Sequence, residues 1–130
     1  MTDIQNEIIT TAINHINKKI NVDLNNVKIL FVKELPNNWG GSYTPETQTI
    51  KLKECIIPYL TMTSLVHEFG HHIHHTIFNY KKFRIPIKNK SEYAKTDFME
   101  DFAEAFKDYI CGSRNPVIDR NNKIKKIFNL

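Results

Sequence analysis

Five consecutive residues, His67-Glu68-Phe69-Gly70-His71, carry the chemistry most readily read from this chain. Residues four apart on a helix lie one above the other on the same face, so His67 and His71 can offer two imidazole nitrogens to one metal ion. Glu68 follows the first histidine directly. Its carboxylate would lie beside a metal rather than on it, placed to take a proton from the water that attacks in a hydrolysis. A catalytic zinc site asks for three protein ligands and one open position, so a third donor must come from elsewhere: a carboxylate on a second helix, or another histidine. The plain alternative is a histidine-rich helix that picks up metal adventitiously. His71 and His75 are also four apart and could form a second pair without Glu68.

A helix over about residues 62–78 must carry this pattern. On its wheel Leu65, Val66, Phe69, Ile73 and Ile77 gather on one side. His67, His71, His74 and His75 gather on the other, giving a core face and a site face. Thr61 or Thr63 is a natural N-cap. Gly70 costs about 1 kcal/mol in a helix interior, which points to close approach by another element.

A second helix is expected over residues 97–111, capped by Thr96 or Asp97 and ended by Gly112. Phe98, Phe102, Ala105, Phe106 and Tyr109 make its apolar stripe. Glu100 and Glu104 project from the opposite side with Ala103 nearby. Periodicity alone reads that side as solvated, shared with Asp101 and Asp108. The functional alternative is a second site face, with Ala103 permitting close approach to a metal.

The remaining elements follow from pattern. Ile4, Ile8, Ala12, Ile16 and Ile20 recur every fourth residue and predict a helix over 3–20, capped by Thr2 or Asp3, with His15 on the surface. Val27–Val32 reads as a buried strand. Ser42–Thr44 and Thr49–Lys53 read as strands about a turn at Pro45–Gln48, the second half-exposed. An exposed edge of this small sheet can accept an extended peptide as an added strand; the alternative reading of the adjacent Trp39 is that it merely covers the core. Residues 79–90, basic and centred on Pro86, are either a flap or a connection. Asn115 and Pro116 open a last helix docked by Val117, Ile124, Ile127 and Phe128.

At 130 residues the chain is expected to form one domain, 1–130. Its formal charge of +4 and pI near 9.0 come from dispersed lysines, a solvated surface rather than a nucleic-acid footprint. Cys55 and Cys111 form no C-x-x-C and are expected reduced and partly buried. No stretch reaches membrane-spanning length, and the polar N-terminus carries no secretory signal. The expectation is a cytoplasmic protein, or one exported by a route the sequence does not disclose.

Tyr93, then Glu100-Asp-Phe-Ala-Glu104-Ala-Phe106, following His67-Glu-Phe-Gly-His71, resembles the catalytic domain of anthrax lethal factor and the related Pro-Pro endopeptidases, which are gluzincin-type zinc peptidases. The resemblance covers about residues 40–110 and, less clearly, the last helix. It implies an α+β, zincin-like minimal metallopeptidase domain: a small mixed sheet with a hairpin, packed on an active-site helix, with about three further helices. It implies His67, His71 and Glu100 as ligands of one zinc ion per chain and Glu68 as general base. Glu104 would orient a histidine ligand by hydrogen bonding. Tyr93 would stabilise the oxyanion or protonate the leaving amine. His72, His74 and His75 match no family role, and surface placement is expected for them. The targeting domains of a toxin and a secretion signal are absent from the sequence, so the substrate class stays open.

The expectation is therefore a monomeric zinc endopeptidase acting on an extended protein or peptide segment, with neither nucleic acid nor membrane as partner. The alternative is a binding module that keeps the zincin scaffold and holds zinc as a structural element; retention of Glu68 and Tyr93 together favours the enzyme.

Overall fold

The structure, a computed structural model, describes residues 1–86, 97–112 and 118–130. Helix α1, Asp3–Asn17, begins with a capping box: Thr2 Oγ1 accepts the Gln5 N–H at 3.1 Å, and Gln5 Oε1 accepts the Thr2 N–H at 3.0 Å. Its four-residue stripe buries Ile8, Ala12 and Ile16. Regular helix stops three residues short of Ile20, which still reaches the core, while Ile4 remains exposed.

Strands β1 (Lys28–Val32), β2 (Gly41–Thr44) and β3 (Thr49–Lys53) form one mixed sheet in the order β1-β3-β2. The β2–β3 hairpin is antiparallel, pairing Gly41 with Leu52 and Thr44 with Thr49. Strand β1 runs parallel to β3, from Lys28 beside Thr49 to Val32 beside Lys53. As the central strand, β3 buries Ile50 and Leu52 completely and turns Lys51 to solvent, the expected alternation. The expectation of a buried β1 is corrected. It is an edge strand whose Ile29 and Phe31 pack on the core while Leu30 is exposed.

Helix α2, Pro58–Thr76, is the centre of the domain and contacts α1, β2, β3 and the following helix. It starts earlier than expected because Pro58, with no N–H to satisfy, occupies the first turn. Thr61 and Thr63 are therefore not caps. Thr61 Oγ1 instead accepts the Cys55 N–H at 2.8 Å and ties down the strand-to-helix connection; the Thr63 hydroxyl donates to the Leu60 carbonyl. Leu65, Val66, Phe69 and Ile73 are buried as the wheel requires, but Ile77 is half-exposed.

Helix α3, Phe98–Cys111, is capped by Asp97, whose Oδ1 accepts the Glu100 N–H at 2.8 Å, and ends at Gly112 with φ +82°. It crosses α2 at Gly70. A Cβ there would stand 3.1 Å from Ala103 Cα and 3.1 Å from Phe106 Cδ1, so glycine and alanine are what let the two backbones approach. Helix α4, Ile118–Ile127, docks through Ile124, and Phe128 joins the Phe102–Phe106 aromatic cluster. The expected cap at Asn115–Val117 lies outside the described residues, as does the 87–90 part of the basic segment. The buried Arg120 of α4 joins three elements, donating to the Pro86 carbonyl and to Asp101 Oδ1, both at 2.8 Å.

The described residues thus make a mixed α+β fold of four helices and one three-stranded sheet. None of their helices is long and apolar enough to cross a membrane. Both cysteines are free, but Cys55 is exposed rather than partly buried.

Candidate metal centre

The Gly70–Ala103 crossing sets the site. It lays the histidine face of α2 against the glutamate face of α3, the face that periodicity alone assigns to solvent. Glu100 reaches both motif histidines: the His71 Nε2–H donates to Oε1 at 2.7 Å, and His67 Nε2 stands 3.3 Å from Oε2. Glu104, one turn on, accepts from His67 Nδ1 at 3.1 Å through Oε2 and from Lys107 Nζ at 2.8 Å through Oε1. One carboxylate thus spans the outer nitrogens of two histidines, and a second fixes the ring of the first histidine from behind.

Glu68 occupies the deep side of the same site. It is only 6% exposed, and its Oε2 has no hydrogen-bond partner among the described residues. A Cβ on Gly41 would meet Glu68 Cγ at 2.9 Å, so the glycine lets strand β2 pass directly over this side chain. One donor atom each from His67, Glu68 and His71 fall within 4.8 Å of one another, and Glu100 contacts the same two histidines. Two carboxylates therefore face the histidine pair, one from each helix.

Electrostatics separate these acids. Burial pushes the Glu68 carboxyl up, outweighing the nearby histidines. Hydrogen bonds from His67 and His71 hold Glu100 well below the usual carboxylate range. The hydrogen bond from His67 brings Glu104 down to about 2. Burial opposes charge on His67, but Glu100 and Glu104 overcome it and push that imidazole up to about 9. Without a metal, His67 is a cation held between two carboxylates.

His67, Glu68, Glu100 and Glu104 open on a cleft of about 600 Å3. One wall is Trp39, Gly40, Gly41 and Ser42; the other is α2 at Thr63, Ser64, His67 and Glu68; Glu100, Glu104 and Lys107 close it from α3. Trp39 is half-exposed on the cleft, which corrects the reading that it merely covers the core. The outer edge of β2 pairs with no strand among the described residues.

The sequence-derived candidates His67, Glu68, His71, Glu100 and Glu104 come together. Tyr93 lies outside the described residues. Surface placement of His72 and His74 is corrected: they are 3% and 0% exposed. His74 stacks on Phe102 with ring centres 4.3 Å apart, and its Nε2–H donates to the Lys81 carbonyl at 2.7 Å. His72 and the half-buried His75 both turn Nδ1 to the Tyr43 hydroxyl, at 3.0 and 2.9 Å. Sequence reasoning missed Lys107, although its i,i+3 spacing from Glu104 was a usable signal. It also missed Tyr43, for which no local signal exists.

No family model matches the chain, and neither a curated protein nor a solved structure matches it.

Proposed function

We propose that the chain is a zinc-dependent endopeptidase that hydrolyses a peptide bond in an extended segment of another polypeptide, on a minimal zincin-like scaffold. The observation that carries this reading is the division of labour between two acids on one cleft: Glu100 bridges the Nε2 atoms of His67 and His71, while Glu68 lies buried beside them with an unpartnered oxygen.

The residues fit the metal. Two imidazole nitrogens and a carboxylate oxygen are a donor set for zinc that leaves one position open. His67, His71 and Glu100 would hold the ion. Glu100 is preferred over Glu68 because its oxygens already meet both histidine nitrogens. Bound zinc would supply a Lewis acid and acidify water. Glu68 takes the proton of the attacking water and returns it to the departing nitrogen; its raised pKa suits a group that must both accept and release a proton. Glu104 fixes the His67 ring through Nδ1, which sets the direction of its other nitrogen. The free edge of β2, along the cleft, offers backbone hydrogen bonds to an extended chain, a mode that selects for strand-like segments before side chains are read. By the family resemblance Tyr93 would donate to the oxyanion.

A structural zinc in a binding module is the competing reading. It needs no buried base, and structural sites usually close their fourth position with protein. The test is metal content of wild type, Glu100→Ala and Glu68→Gln, with cleavage of a diverse peptide library. The expected result is one zinc per wild-type chain, lost in Glu100→Ala. Glu68→Gln keeps the metal but loses about 10²–10⁴-fold in turnover. Full zinc occupancy in Glu100→Ala would refute the ligand set, and unchanged turnover in Glu68→Gln would refute the base.

A further inference from the structure

The candidate metal centre uses His67 and His71 of the histidine run. His72 and His75 are left over, and both point at one atom. Tyr43 Oη stands 3.0 Å from His72 Nδ1 and 2.9 Å from His75 Nδ1. The strand and the helix each contribute to this convergence. Tyr43 faces α2 because it lies two residues beyond Gly41, the residue that lies over Glu68. His72 and His75 are three apart on α2 and so share a face. The rings are held from outside: Tyr80 stacks on His75 with centres 5.2 Å apart and planes at 23°, and His72 meets Tyr43 edge-on at 5.5 Å. Burial first, then the neighbouring Tyr80 and Glu46, push the Tyr43 phenol up to about 12, so it is a neutral hydroxyl in the metal-free protein.

We propose that Tyr43, His72 and His75 form a second metal site, with an N2O donor set for a divalent transition-metal ion of borderline softness, Cu2+ more tightly than Zn2+. Imidazole nitrogen and anionic oxygen suit these ions, and Cu2+ stands above Zn2+ in the usual order of affinity. The two phenol-to-imidazole spacings support the fit. Ligands about 2.0–2.1 Å from a tetrahedral ion stand about 3.3 Å from one another, so the observed 2.9 and 3.0 Å open by a few tenths of an ångström. The spacing resembles that of the cleft cluster, 2.7 and 3.3 Å. Without metal, one phenol oxygen serves two nitrogens: the hydroxyl donates to one Nδ1 and accepts from the Nδ1–H of the other ring. Metal binding releases the phenol proton to solvent and leaves both rings in the Nε2–H tautomer, each giving its Nδ1 lone pair to the ion. Solvent would complete the coordination. The occupied site would clamp the β2–β3 hairpin to α2 just beyond the cleft.

This site does not depend on the peptidase reading, and its test does not use cleavage. The full-length chain carrying His71→Ala and Glu100→Ala, which disables the cleft cluster, is checked for its far-UV circular dichroism and then titrated with Cu2+ and with Zn2+. The expected result is one equivalent of metal, with a visible tyrosinate-to-copper charge-transfer band in the copper form. Changes outside the ligand shell already cost about 10–100-fold in metal affinity. Adding Tyr43→Phe, which keeps the ring and its packing, is therefore expected to remove the band and weaken binding more than about 100-fold; adding His75→Ala weakens it similarly. A background chain that takes up no stoichiometric metal overturns the proposal. So does metal binding that survives Tyr43→Phe, which would mark an adventitious histidine site.

Discussion

Gly70→Ala tests whether the helix crossing sets both stability and the donor geometry. Two effects oppose each other. Alanine is the better helix former by about 1 kcal/mol, a gain available if the site has room. It has little. The new Cβ would lie 3.1 Å from Ala103 Cα and from Phe106 Cδ1, and the first of these is backbone. Ordinary carbon–carbon contact is about 3.5–4.0 Å, so α2 and α3 must separate by about half an ångström. Overpacking of this kind typically costs about 1–3 kcal/mol, and the net expectation is a loss of up to about 2 kcal/mol in the metal-free protein. The consequence for metal is larger. Glu100 is carried by α3 and its histidine partners by α2, at 2.7 and 3.3 Å. Metal sites hold their ligand distances to about 0.2 Å, so the shift should lower zinc affinity by more than tenfold, on the order of 1.4 kcal/mol. Urea denaturation of metal-free protein reads the first effect, and competition with a chelator reads the second. A Gly70→Ala chain that gains about 1 kcal/mol and binds zinc as wild type would refute the close-approach argument.

Four further outcomes are expected. Glu104→Ala frees His67 Nδ1 and should weaken zinc binding by about 10–100-fold without changing stoichiometry, as read by competitive titration. In metal-free protein His67 titrates near 9, so zinc must displace a proton at neutral pH; calorimetry in buffers of different ionisation enthalpy should show release of about one proton, and affinity should climb with pH until about 9. The same groups shape metal-free stability. The raised His67 contributes fully below 6.5 and loses its contribution as pH rises through about 9, while the lowered Glu104 contributes above 4.5 and loses it as pH falls toward about 2. Melting temperatures should therefore peak between 4.5 and 6.5, and a monotonic rise through pH 9 would contradict the ion-pair arrangement. Arg120→Ala leaves Asp101 and the Pro86 carbonyl without their buried guanidinium and should cost about 3 kcal/mol, read from the shift of the urea midpoint.

What could be read in advance was whatever depends on neighbours in sequence. The Ile8–Ala12–Ile16 stripe and Thr2 cap of α1, the Asp97 cap and Gly112 stop of α3, and the β2–β3 hairpin are all local, and they formed as expected. Gly70 was informative for the same reason: a helix rarely keeps a glycine unless something presses on it. The failures are non-local. A wheel cannot know that the C-terminal half of α2 is wrapped by Phe83, Phe98 and Phe102 on one flank and by Tyr43 on another, so it left His72 and His74 outside. Strand β1 looked buried because its composition is apolar, but strand order made it an edge. The α2 start was legible in Pro58, yet the two threonines that followed drew the cap assignment inward. Glu100 and Glu104 were separable from a solvated acidic face only through the family resemblance, since their partners lie on another helix.

A three-stranded sheet has two outer edges, and only the β2 edge faces the cleft. The other belongs to β1, whose outer backbone groups meet no strand among the described residues. Such an edge is a template for pairing with a second copy. Here it is five residues long, begins at Lys28 and is followed by Lys33. Short length and like charge at both ends discourage in-register association of copies, but the charge is effective only while unscreened, and the screening length falls to about 3 Å in molar salt. Colloidal stability of this protein should therefore be set at the side remote from its chemistry, and concentrated salt is the condition under which that edge would begin to join molecules together.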